Sequence, residues 1–115
     1  MTITRFNVGP RLSEVAVYNN TAYFAGQVPD SASADIKTQT RQVLEQIDAL
    51  LASVGSDKSR ILQVQIFLRD IGLIHEMNEE WDKWITPGNT PPRATVQALL
   101  ADPNWLIEIV LSAAI

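Results

Sequence analysis

Apolar residues change their spacing several times along the chain, and each change marks an element. Ser13–Tyr18 alternates, with Val15 and Val17 on one face and Glu14, Ala16 and Tyr18 on the other, the two-residue repeat of a strand. Asn19-Asn20 follows. Asparagine tolerates the positive φ of a tight hairpin, so residues 21–25 read as the returning strand. Residues 2–7 alternate weakly and read as a short first strand, broken by Gly9-Pro10. From Ile36 the period lengthens. Ile36, Thr40, Val43, Leu44, Ile47, Leu50, Leu51 and Val54 follow the spacing of one helix face, predicting a helix from about residues 33–35 to 54. Asp35 suits its first turn and Gly55 the position past its end.

Residues 59–69 return to period two. Leu62, Val64, Ile66 and Leu68 share a face expected to meet the helices; Ile61, Gln63, Gln65 and Phe67 share the other. That second face, half amide and half apolar, reads either as a wet sheet face or as a contact with another subunit. Ile74, Met77, Trp81, Trp84 and Ile85 mark a second amphipathic helix over residues 73–85, ended by Pro87-Gly88-Asn89. Residues 94–100 form a strand, Asp102-Pro103-Asn104 a turn, and residues 105–114 the last strand. In that strand Leu106 and Val110 share a face with Glu108 and Ser112, while Ile107, Ile109 and Leu111 share the other. A strand apolar on both faces is covered on both sides, and two helices cover only one. The other face is therefore expected to meet a second copy of the chain. The order is α+β: a mixed six-stranded sheet with two helices on one face. If the third and fourth strands are parallel neighbours, the helix between them crosses over right-handed.

Composition narrows this picture. At 115 residues the chain is expected to be a single domain, 1–115, with 46% hydrophobic residues to fill its core. The absence of cysteine excludes disulfides, thiolate metal sites and cysteine nucleophiles. Nine basic against thirteen acidic residues give a charge of −4 with no Lys/Arg cluster, which argues against a nucleic-acid partner. The most apolar tract, residues 106–115, contains Glu108 and falls short of the roughly 20 residues of a membrane helix. The first residues lack a basic segment followed by an apolar one, so no secretory leader and no membrane partner are expected, and a cytoplasmic location is.

Two charges in residues 86–108 stand in costly places. Arg93 follows Pro91-Pro92, whose rings restrict the backbone before it. A guanidinium so held offers a planar fork for a carboxylate; the alternative is a surface arginine or an internal ion pair. Glu108 lies among Leu106, Ile107, Ile109 and Val110. A carboxylate there either orients and activates a water or pairs with a basic side chain. His75, the sole histidine, has no metal-binding spacing around it and reads as a helix-surface residue. Trp81, Trp84 and Trp105 read as core or interface, and no phosphate-binding glycine loop or nucleophile elbow is present.

Several short motifs, in order and at matching spacing over nearly the whole chain, resemble the reactive intermediate deaminase family, RidA or YjgF. They are Ala25-Gly26-Gln27-Val28-Pro29, Val54-Gly55 closing the helix, the strand over residues 61–70, Met77-Asn78-Glu79-Glu80-Trp81, Pro92-Arg93-Ala94-Thr95-Val96, and Ile107-Glu108-Ile109. The resemblance implies a chorismate-mutase-like fold and a homotrimer. Three sheets would form a central barrel, with ligand clefts between subunits. It implies hydrolysis of reactive 2-imino or enamine acids, such as 2-iminopropanoate or 2-iminobutanoate, to 2-keto acids and ammonia, a metabolite damage-control reaction needing no cofactor or metal. By the resemblance, Arg93 matches the residue that grips the substrate carboxylate, Glu108 the glutamate near the attacking water, and Asn78 the cleft asparagine. Arg11 and Ala25 stand where the family usually has tyrosine and serine, beside Gly26, so a phenol and a hydroxyl are missing from the implied pocket. That departure keeps a second reading open, a non-enzymatic binder of small carboxylates. Ribonuclease activity, attached to some family members, is disfavoured by the acidic balance and the single histidine.

Overall fold

The computed structural model describes residues 2–115. Its strands are β1 (Thr4–Val8), β2 (Ser13–Tyr18), β3 (Thr21–Phe24), β4 (Ile61–Leu68), β5 (Arg93–Gln97) and β6 (Ile107–Ala114); its helices are α1 (Ile36–Ser53) and α2 (Ile74–Trp84). They build a mixed six-stranded sheet, ordered β1-β2-β3-β6-β4-β5, with two helices.

Local chemistry sets most boundaries. Asn19 and Asn20 both take positive φ, 53° and 61°, as the β2–β3 hairpin turn requires. Asp35 caps α1 rather than lying in its first turn: its carboxylate accepts from the Thr38 amide at 2.8 Å. Gly55, at φ +78°, closes the other end, where the Ser56 amide reaches back to the Leu51 carbonyl at 2.9 Å. Short 3₁₀ turns, Lys58–Arg60 and Ile71–Leu73, lead into β4 and α2.

The anticipated helix stripe is buried. Val43, Leu44, Ile47 and Leu51 pack with Met77 and Trp81 of α2 over the sheet residues Val15, Phe24, Val64, Ile66, Leu68, Ile107, Ile109 and Leu111. One face assignment fails. Leu62 is 47% exposed and Ile61 is 6% exposed, the reverse of simple alternation. The register with β6 slips there, Ile61 facing Ala113 and Gln63 facing Ser112, so Leu62 is an extra residue in a bulge. Beyond it, alternation holds and Gln63, Gln65 and Phe67 occupy the face away from the core.

β3 and β4 are not neighbours. β6 lies between them, antiparallel to both. The parallel neighbours are β4 and β5, joined through α2. Periodicity assigns faces but carries no information on strand order. The second face of β6 is not covered by this chain: its burial alternates between full and partial. Around it the sheet's open face carries Tyr23, 55% exposed, and Val96, 40% exposed, with a depression of about 250 Å³ lined by Tyr23, Gln63, Gln65, Val110 and Ser112.

Candidate functional site

Arg93 opens β5, an edge strand. Its register partner is Val64, whose side chain is buried beneath the helices, so Arg93 points to the helix side of the sheet. There its guanidinium lies over the Trp81 ring, 5.3 Å from the centroid. Burial lowers its pKa from the usual arginine value, and the charge of nearby Asp82 partly offsets this. Among the described residues no carboxylate comes within 4.0 Å of it, whereas the three ion pairs elsewhere, Lys37–Glu79, Arg41–Glu80 and Lys83–Glu80, tie α1 to α2 or lie within α2. Asn78, three residues before Trp81 on α2, and Thr95, two residues after Arg93 on β5, flank the same corner. The result is a cation held on an aromatic face and open to an anion.

Glu108 stands on the opposite, open face. It faces Phe67 of β4, and its carboxylate rests on Gly26: a Cβ at position 26 would lie 2.9 Å from Glu108 Cδ and closer still to an oxygen. A side chain there would displace the carboxylate. Ala25 to Gln27 is pinned on all sides. The Ala25 amide donates to the Glu14 carbonyl at 2.9 Å, and the Gln27 backbone exchanges two hydrogen bonds with Ile109 at 2.8 and 3.0 Å. The buried Gln27 side chain donates to Ala25 O and to Glu14 Oε2, both at 3.0 Å. Arg11 is exposed in the turn between β1 and β2, next to the start of β2 that carries Glu14.

The start of β6 is itself clamped. Arg69 donates to the carbonyls of Trp105, Leu100 and Asp102 at 3.0, 3.1 and 2.9 Å. Gln39, fully buried on α1, donates to Asn104 O and accepts from the Leu106 amide. These bonds fix the loop that delivers Glu108.

The expected site residues thus fall into two separate groups on one chain. Asn78 and Arg93 share the helix side of the β5 edge; Ala25, Gly26 and Glu108 share the open face, with Arg11 at the same end of the sheet. A single chain does not bring Arg93 and Glu108 together, because the sheet stands between them. Sequence reasoning missed Glu14, Gln27 and Thr95 as residues of these corners. A threonine and a glutamate within alternating strands are ordinary patterns, and only the register exposes their position. No group of three or more His, Cys, Asp or Glu side chains suited to a metal ion occurs among the described residues. No helix there is long and apolar enough to cross a membrane.

A six-stranded mixed sheet backed by two helices, with an arginine at its edge that has no carboxylate partner among the described residues and a carboxylate seated on a glycine, defines a class of small α+β proteins. Residues 2–115 match the family model described as Endoribonuclease L-PSP. A RutC family protein of Haemophilus ducreyi is 54% identical over 113 residues, covering 98% of this chain and 97% of the relative. Among solved structures, a YjgF-family member from Neisseria meningitidis is 44% identical with a TM-score of 0.96, covering 99% of this chain and 95% of that one. A protein of the conserved Rid family from Yersinia pestis, described as of unknown function, is 30% identical with a TM-score of 0.87, over 94% and 90% of the chains. The chain belongs to the RutC/YjgF/Rid family, whose family model carries the L-PSP description.

Proposed function

We propose that the protein hydrolyses reactive 2-imino acids, or their enamine tautomers, to 2-keto acids and ammonia in the cytoplasm. The active unit is a homotrimer whose clefts join the Arg93 corner of one copy to the Glu108 corner of the next. The observation that carries the reading is the half-buried Arg93 guanidinium, laid on Trp81 without a carboxylate partner among the described residues. Such a cation favours a small carboxylate, which gains two parallel hydrogen bonds from the planar fork. The opposite faces of Arg93 and Glu108 support a shared cleft, since one chain cannot use both on one small ligand.

With the carboxylate anchored, C2 of the imine is already electrophilic. Glu108 takes a proton from a water as its oxygen attacks C2, and returns that proton to the nitrogen, giving a carbinolamine. Glu108 then carries the hydroxyl proton to the amino nitrogen as the C=O bond forms and the C–N bond breaks, so that ammonia leaves and the 2-keto acid remains. Positioning and acid–base help of about 10²–10⁴-fold suffice for so reactive a substrate. The test generates the imine in situ with a pyridoxal-phosphate dehydratase and follows keto-acid and ammonia release. Wild type accelerates release and Arg93→Ala returns it to the rate without protein; equal rates for all three refute the reading.

A second reading, a carboxylate binder without turnover, has Arg11 and Ala25 in its favour. Calorimetric binding of 2-ketobutyrate with no acceleration of ammonia release selects it. The ribonuclease in the family's description has no comparable support: the chain carries a charge of −4, and its single histidine, His75, is exposed on α2.

A further inference from the structure

The Trp81 ring that carries Arg93 is itself held from the other helix. Trp84, the last residue of α2, meets Trp81 at 5.4 Å between ring centroids, with the planes tilted by 54°. Aromatic quadrupoles favour such a tilted contact over a face-to-face sandwich. The Trp84 indole N–H donates to Asp48 Oδ2 on α1 at 2.9 Å. Lys58, in the 3₁₀ turn before β4, lies over the Trp84 ring, 5.4 Å from its centroid. With the Arg93 guanidinium 5.3 Å from the Trp81 centroid, Asp48, Trp84, Trp81 and Arg93 make one unbroken row of contacts from α1 to β5. The two helices are already joined without it, by Lys37–Glu79, Arg41–Glu80 and the buried stripe of α1 against Met77. What the Asp48 bond adds is the orientation of one ring.

We propose that Trp84 and Asp48 are positioning residues for Arg93. The hydrogen bond fixes the plane of Trp84, Trp84 fixes Trp81, and the Trp81 face fixes where the guanidinium fork points. The inference rests on reading Arg93 as the anchor for a small carboxylate. An arginine has a long, rotatable stem, and ordering it opposes binding. A ring already fixed beneath the guanidinium removes that ordering from the binding step, so the fork meets the carboxylate pre-aimed. Neither positioning residue touches the ligand. Their effect therefore falls on how tightly the carboxylate is held, and not on the acid–base step at Glu108, on the opposite face of the sheet.

Calorimetry with 2-ketobutyrate tests this. Asp48→Leu removes the acceptor from an exposed position and is expected to weaken binding about threefold, the worth of one aromatic contact at the lower end. Asp48→Asn removes the charge but keeps a side-chain oxygen for the indole, and is expected to bind as wild type does. Together the two variants separate the hydrogen bond from the change in net charge. Trp84→Phe keeps a ring without the N–H and weakens binding to the same degree; adding Asp48→Leu to it weakens binding no further. In the coupled dehydratase assay Asp48→Leu raises KM and not kcat. A role confined to packing α1 on α2 would lower Tm and leave affinity unchanged. Wild-type affinity in Asp48→Leu, equal losses in Asp48→Leu and Asp48→Asn, or losses that add in the double variant overturn the positioning role and leave Arg93 standing as an anchor. The calorimetric readout does not depend on turnover, so it decides in the same way for an enzyme and for a carboxylate binder. A wild type that does not bind 2-ketobutyrate overturns the anchor and this inference together.

Discussion

Glu108 owes its place to a side chain that is missing. Its carboxylate occupies the space where a Cβ on residue 26 would stand. Gly26→Ala is therefore expected to push the carboxylate out of position while the sheet, held by the Gln27–Ile109 bonds, stays intact. Deaminase kcat should fall by about 10²-fold, the value of one positioned acid–base group, with the far-ultraviolet circular dichroism unchanged. A wild-type rate in this variant would remove Glu108 from the chemistry. Arg93 offers the complementary test. Arg93→Lys keeps the charge but loses the fork and the ring stacking, so KM for the imine should rise about tenfold, one lost charge-assisted hydrogen bond. Both charges were legible in the sequence because each stands where a charge is costly, after two prolines or inside an apolar strand. Thr95 was not. A β-branched polar residue is common in strands, and its lack of a hydrogen-bond partner among the described residues emerges only when α2 folds over β5.

Helices and strands read well where one period persists. The α1 stripe and the faces of β4 beyond its start follow the repeat, but the Leu62 bulge does not, since one inserted residue reverses every face before it. Glu80 is the other element-scale surprise. Within Glu79-Glu80 it looks like a solvated helix face, yet it is 4% exposed and pairs with Arg41 across the α1–α2 contact and with Lys83. The Arg41 hydrogen bond leads in lowering its pKa below the ordinary 4.5. A lowered folded-state pKa stabilises the protein above the ordinary value, and that contribution is lost as pH falls through the folded one. Glu80→Gln should accordingly lower Tm by a few degrees at pH 7, with the gap to wild type closing on acidification below pH 4.5. A gap constant with pH would contradict the ion-pair account. Arg69 holds three carbonyls of the loop before β6. Arg69→Ala should cost about 2 kcal/mol in urea unfolding and reduce deaminase activity through a loosened Glu108.

Over the whole molecule, the sequence implied an uncovered sheet face but not the strand order that builds it. β6 inserts between β3 and β4 through long-range pairing, which period and propensity do not encode. The uncovered face carries Tyr23, Val96 and the amides Gln63 and Gln65 around a shallow depression. Placing a charge at its centre, as in Val110→Arg, should shift the protein toward monomers in light scattering. Activity should be lost with the assembly, because the Arg93 and Glu108 corners of one chain lie on opposite faces.

That shared cleft is the central claim, and subunit mixing tests it most directly. Arg93→Ala and Glu108→Ala are each expected to be inactive in the coupled dehydratase assay. Unfolded together in equal amounts, refolded, and verified as mixed assemblies by mass spectrometry, they should regain about a quarter of wild-type activity, since that share of clefts receives an intact Arg93 from one copy and an intact Glu108 from its neighbour. Verified mixtures as inactive as the parents would contradict it.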